Sequence, residues 1–179
     1  MNPRISELAD YLDRERAELD RAIASVSAAE HNVKPSPEAY SVAEVVNHLA
    51  ITDRRVTALL TKITGEARAN GAPPDTETTA ILPTIDVRKV LDRTSKIRNP
   101  RGDPPPDCNV KDGLAARDGA RNDLKALMQK KDLPSLGGVT APHPAFGPMT
   151  GYEWIAFVAA HTRRHADQIR EVGSTLSNA

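Results

Sequence analysis

The stretch TGYEWIAFVAAHTRRHADQIREV, residues 150–172, decides how this chain folds. Thr150 with Glu153 three residues on is a capping box, in which side chains and backbone donors satisfy each other, so a helix opens here. At about 100° per residue, Trp154, Phe157, Val158, His161, His165, Gln168, Ile169 and Val172 fall on one face roughly 120° wide. Arg163, Asp167 and Arg170 point away from it. That face turns toward a core, and two histidines one turn apart stand in its middle. An unpaired buried polar group costs roughly 1–3 kcal/mol, so both imidazoles need partners for their ring nitrogens. A shared metal ion meets that need. The plainer alternative is that each ring bonds a backbone carbonyl or a neighbouring side chain.

Three further stretches carry helical periodicity. In the first, Asn2 can cap and Pro3 suits the first helical position; Ile5, Leu8, Leu12, Leu19, Ile23 and Val26 share a face that skips a turn at Glu15 and Arg16. The prolines of KPSP, residues 34–37, close it. The second opens at Ser41, with Glu44 completing another capping box, carries Val42, Val45, Val46, Leu49, Val56, Leu59, Leu60 and Ile63, and ends near Gly65. A polar, Thr/Pro-rich loop follows over residues 66–83, then a short helix at 86–97 and a second loop, NPRGDPPPD, at 99–107. Leu114, Leu124, Leu127 and Met128 mark the third long helix, which stops before Pro134. No stretch alternates polar and apolar residues with β-branched enrichment, so the fold is expected to be all-α. The expectation is one domain over residues 1–179: an antiparallel four-helix bundle with knobs-into-holes packing, helices near 3–29, 42–64, 111–131 and 151–173, and long loops between the second and third.

Composition narrows the function. A chain of 179 residues suits one domain. Its 24 Lys plus Arg balance 24 Asp plus Glu, which gives no electrostatic case for gripping a phosphate backbone, so nucleic acid is not the expected partner. The longest useful apolar run, residues 155–160, is far short of the roughly 18 residues a membrane span requires. The N-terminal region lacks an apolar core of the signal-peptide kind, and the expected location is the cytoplasm. Cys108, alone in a PPPDCN setting with no basic neighbour, reads as incidental. There is no Gly-rich phosphate loop, nucleophile elbow or zinc-ribbon cysteine pair.

A third imidazole improves the case for metal. His48 lies seven residues after the Ser41 cap, at the edge of that helix's apolar stripe, and from a facing helix it would make a three-His site with open coordination positions. At this point the chain resembles the DinB-like (YfiT-like) proteins of bacteria. YSVAEVVNHLA, residues 40–50, is similar to the family's entry into its second helix, which supplies one ligand. HPAFGPMTGYEWIAFVAAHTRRHADQI, residues 143–169, resembles its final helix with H-x-x-x-H. The resemblance implies a four-helix bundle in which His48, His161 and His165 hold a divalent metal. Tyr40 stands where many members carry Trp, and the Pro-rich insert between the second and third helices departs from the family pattern.

Other residues qualify as neighbours of such a site. Glu44 could serve as a fourth ligand or general base, but its place in the capping box already explains it. Arg117 and Arg121 occupy the apolar-facing side of the third helix, where a charge wants an anion; they either orient a carboxylate or thiolate substrate or lie at the surface with stems packed on the bundle. His143, just before the last helix, either reaches the mouth of the site or fixes loop geometry. His31 is expected solvated at the end of the first helix, and Trp154 and Phe157 in the core and then a pocket wall.

The leading expectation is a metal-dependent enzyme for a small molecule, with Zn²⁺ or Ni²⁺ on the triad and the open position activating water or the sulfur of a low-molecular-weight thiol. The family resemblance implies thiol-dependent S-transfer, and hydrolysis is equally compatible with the residues. The alternatives are a metal-stabilised stress-response or interaction protein without turnover, and a metal-free helical bundle that dimerises through an apolar face. A homodimer fits any of these.

Overall fold

The computed structural model describes residues 2–94, 104, 105 and 107–178. Helix α1 runs Pro3–Ala24, with the Asn2 side chain accepting from the backbone N–H of Arg4 at 2.8 Å. It stops short of the expected residue 29: the Ser25 N–H closes the last turn, and Ala28–Glu30 form a separate 3-10 turn. Helix α2, Val42–Ala69, continues past the expected end at Gly65, where an added Cβ would meet nothing within 4 Å. One glycine costs a helix about 1 kcal/mol, which a long amphipathic helix absorbs. Helix α3 is a single turn, Arg88–Leu91, where a longer element over 86–97 is expected; residues 95–97 lie outside the described residues, as does most of the NPRGDPPPD loop. Helices α4, Val110–Met128, and α5, Gly151–Ser177, complete the set.

The chain is predominantly helical, but not wholly. Strands β1, Thr140–His143, and β2, Gly147–Thr150, form an antiparallel hairpin in register Thr140↔Thr150 to His143↔Gly147. Each strand has four residues including a proline, and Pro142 faces Pro148, so there is too little alternation to read as a strand. Gly147, at φ +76°, takes the left-handed position directly after the three-residue hairpin loop.

Helix directions correct the expected antiparallel arrangement. The Asn47 amide of α2 donates to Asn109 O beside the start of α4, and Thr57 donates to Ala120 O, so these two neighbours run the same way. α1 and α5 are likewise parallel neighbours: Arg4 lies over the Tyr152 ring and Arg170 reaches Glu18. Short loops force neighbouring helices to run antiparallel, whereas the long connection between α2 and α4 lets the chain cross over. α4 approaches α2 closely at Gly113, where a Cβ would stand 2.7 Å from Asn47 Nδ2 and 3.0 Å from Val46 Cγ1.

Two apolar clusters fill the interior. One gathers Leu8, Leu12, Leu60, Leu124, Ile155 and Val158 among others; the second gathers Leu19, Val42, Val45, Leu49, Ile169 and Val172. Between them, in the middle of the long helices, lies a polar layer with Glu15 from α1, His48 and Asp53 from α2, Arg117 and Arg121 from α4, and His161, Thr162 and His165 from α5. Glu15, where the sequence pattern skips a turn, is 5 % exposed and belongs to this layer. No helix among the described residues is long and apolar enough to cross a membrane.

Candidate metal centre

The capping boxes set the rotation of the two helices that carry the histidines. Ser41 Oγ accepts from Glu44 N at 3.2 Å while Glu44 Oε2 accepts from Ser41 N at 2.8 Å. Glu44 Oε1 pairs with Lys34 Nζ at 2.8 Å, so both carboxylate oxygens are engaged at the cap and none turns to the histidines. His48 follows one turn later. Thr150 and Glu153 make the same reciprocal cap on α5, and His161 and His165 follow in mid-helix.

These three side chains meet. His48 Nε2 lies 3.4 Å and His165 Nε2 3.1 Å from His161 Nε2, and one nitrogen from each ring falls within 4.8 Å of the others. His165 is 8 % exposed and the other two are partly buried. His165 Nδ1 stands 2.7 Å from Gln168 Oε1; an amide oxygen only accepts, so Nδ1 carries the proton and the Nε2 lone pair faces the other rings. Burial and then the neighbouring His48 push the His165 pKa down to about 3. Burial, then His165 and His48, hold His161 well below the ordinary histidine range. All these causes favour neutral rings.

A divalent ion fits this donor set. Nitrogen lone pairs turned on one point repel unless a proton or cation lies among them, and neutral imidazole is the form that ligates. His161 Nδ1 is buried with no hydrogen-bond partner, so no hydrogen bond on that side fixes the ring's place. Phe157 stacks on it, with centroids 5.1 Å apart and planes inclined by 25°.

The other sequence candidates lie elsewhere. His143 Nδ1 accepts from Ala145 N at 3.1 Å and its ring stacks on Phe146 at 4.5 Å, so it fixes the hairpin loop. Trp154 is buried and donates to Ala141 O at 3.2 Å. Buried Phe157 bridges His143 and His161. His31 follows the 3-10 turn, not α1, with Nε2 3.2 Å from Val26 O. Cys108 is partly buried, and burial together with Glu44 raises its thiol pKa.

Arg117 and Arg121 are neither surface residues nor free to hold a substrate. They are 0 % and 6 % exposed, and their anion is Asp53 on α2. Asp53 Oδ2 lies 2.6 Å from Arg121 Nε and 3.1 Å from Arg117 Nε, and both guanidinium groups donate to Thr162 Oγ1 at 2.8 Å. Thr162 in turn donates to Val158 O at 2.8 Å. Burial, with Arg121 beside it, lowers the Arg117 pKa to about 9. Asp53, Thr162 and the partner role of Gln168 escape the sequence reading. The available signal was two arginines on an apolar face, which require a carboxylate on a facing helix. Arg163 and Arg170, on the side of α5 away from the histidines, meet the acidic residues of α1, and Asp167 pairs with both of them: Arg170 Nη2 donates to Glu18 Oε2 at 2.7 Å.

Comparison with known proteins agrees with this geometry. A relative from Bacillus subtilis (strain 168), "Uncharacterized protein YuaE", is 26 % identical over 169 residues, which span 92 % of this chain and 96 % of that protein. The model of the DinB superfamily matches residues 11–169, which takes in α2 and α4 whole, the greater part of α1 and α5, and the three converging histidines; the chain belongs to the DinB superfamily.

Proposed function

We propose that the protein is a metal-dependent enzyme for a small molecule, with His48, His161 and His165 as ligands of a Zn²⁺ or Ni²⁺ ion and a low-molecular-weight thiol or water as the nucleophile. One observation carries this reading: three imidazole nitrogens from two helices converge on one point. The four long helices are read as a four-helix bundle that holds this point in its central layer. A bound ion of this kind supplies Lewis acidity and lowers the pKa of a coordinated water or thiol. The chain itself supplies orientation and dryness. Gln168 fixes the His165 tautomer, Phe157 covers one face of His161, and the Asp53 network seals the layer behind them. Three protein ligands leave a position for an exchangeable group, which favours turnover over a purely structural ion. The reaction class is transfer of a thiol to an electrophile, or hydrolysis, and the setting the cytoplasm.

Element analysis of untagged protein tests the first half: about one ion per chain is expected in the wild type and almost none in His165→Ala, whereas equal, near-zero contents end the reading. The second half is tested on a Co²⁺-loaded sample. Thiols and small anions should shift its absorption spectrum; a spectrum indifferent to both leaves a metal that only braces the fold.

A further inference from the structure

On the side of α5 turned away from the histidines lies a cleft of about 470 Å³, within the roughly 300–1,000 Å³ typical of small-molecule sites. One wall is apolar and comes from the connection between α2 and α4: Leu82, Ile85, Val87 and Leu91, the last an exposed large apolar side chain at 37 %. The connection is held in place by Glu7, whose carboxylate accepts from Ile81 N at 2.6 Å, and by Arg164, which donates to Val90 O at 3.3 Å. The opposite wall is ionic. Glu15 is buried, with only 5 % of its surface exposed; its Oε1 accepts from Arg14 Nε at 3.3 Å, but its Oε2 has no hydrogen-bond partner. Arg163 Nη1 forms long ion pairs with that oxygen at 4.0 Å and with Glu18 Oε1 at 3.9 Å, both beyond hydrogen-bond distance, while its Nε is 3.3 Å from Asp167 Oδ2.

We infer that this cleft binds an amino acid with an apolar side chain. A buried carboxylate oxygen without a donor is costly, and an ammonium group is the donor that best offsets the cost. Arg163 Nη1, in long ion pairs with Glu15 and Glu18 but bonded to neither, keeps donor capacity for a carboxylate drawn up beside it. A zwitterion answers both at once across the gap between Glu15 and Arg163, and its side chain then lies on the Leu82, Ile85, Val87 and Leu91 wall. The two carboxylates and two guanidinium groups lining the cleft sum to zero charge, which disfavours a ligand carrying only one sign. The site is independent of the metal reading, because Arg163 and Asp167 stand on the opposite side of α5 from His161 and His165.

Calorimetric titration of the full chain with leucine and phenylalanine tests the inference, with isopentylamine and 4-methylpentanoate as analogues that keep the apolar body and one charge. Either amino acid is expected to bind at least ten-fold more tightly than both analogues. Arg163→Gln, a half-exposed position that should fold normally, is expected to weaken binding at least ten-fold, and so is Leu91→Asp on the facing wall. The metal content of both variants should match the wild type. No binding of either amino acid at millimolar concentration overturns the inference, as does equal binding of the analogues or an affinity indifferent to both substitutions.

Discussion

Two polar groups of side chains share the central layer of this protein and are built on opposite plans. Around Asp53, unlike charges meet: one carboxylate lies against two guanidinium groups and a hydroxyl, tying α2, α4 and α5 together. At the histidines, three groups of one kind face each other across α2 and α5 with no acid among them. The first cluster carries an anion of its own, one carboxylate to two guanidinium groups; the second carries none and has room in its chemistry for a cation from outside. A buried polar cluster therefore points to a ligand through what it lacks, and burial alone does not distinguish the two.

The largest test of this contrast removes the internal counter-charge. Asp53→Ala leaves two buried cations facing each other, and loss of one partner of a buried pair costs about 3–5 kcal/mol. Chemical denaturation should show a fall of that size, equal with and without added metal. Chelation is the matching test on the histidine side. A ligand at a hundred times its dissociation constant stabilises by about 2.7 kcal/mol, so EDTA should lower the melting temperature of the wild type by several degrees and leave His161→Ala unmoved. If chelation shifts neither, the histidine cluster is self-sufficient and the contrast fails.

Smaller effects sharpen it. Gln168→Ala removes the acceptor that orients His165, and loss of such an outer partner weakens metal affinity by about 10–100-fold. Competition with a chromogenic chelator measures it, and an unchanged affinity removes Gln168 from the site. The smallest effect belongs to the exposed end of the charged cluster, where Arg16 Nε donates to Asp118 Oδ1 at 2.9 Å. That bond holds the Asp118 pKa below its ordinary value. A depressed carboxylate pKa contributes stability above the unfolded value of about 3.9, and the contribution disappears as pH falls through the folded value. Asp118→Asn should cost at most about 1 kcal/mol at pH 7, with the gap from wild type closing below about pH 4 in denaturation curves.

The histidine positions were legible because helical geometry is local: one capping box and a period of 3.6 residues place His161, His165 and Gln168 on one face. The same logic set His48 at the edge of its own stripe. Asp53 was not legible, since its partners lie on α4 and nothing in the α2 periodicity names them; the arginines announced only that some anion was required. The hairpin before α5 was hidden by its brevity and its facing prolines, and the end of α2 by a glycine that a long helix tolerates. The parallel pairing of α2 with α4 follows from the connection between them, whose length was visible although its path was not.

The close passage of α4 over α2 at Gly113 has a consequence for His48, the residue next to Asn47. A single hydrogen atom in place of a side chain sets how near the two helices can lie at that level, so the position of a proposed ligand depends on a residue without chemistry of its own. A methyl group there would have to displace Asn47 or Val46, and the strain would reach the imidazole through one peptide unit. The tolerance of the histidine cluster to change is thus written partly on a helix that donates nothing to it.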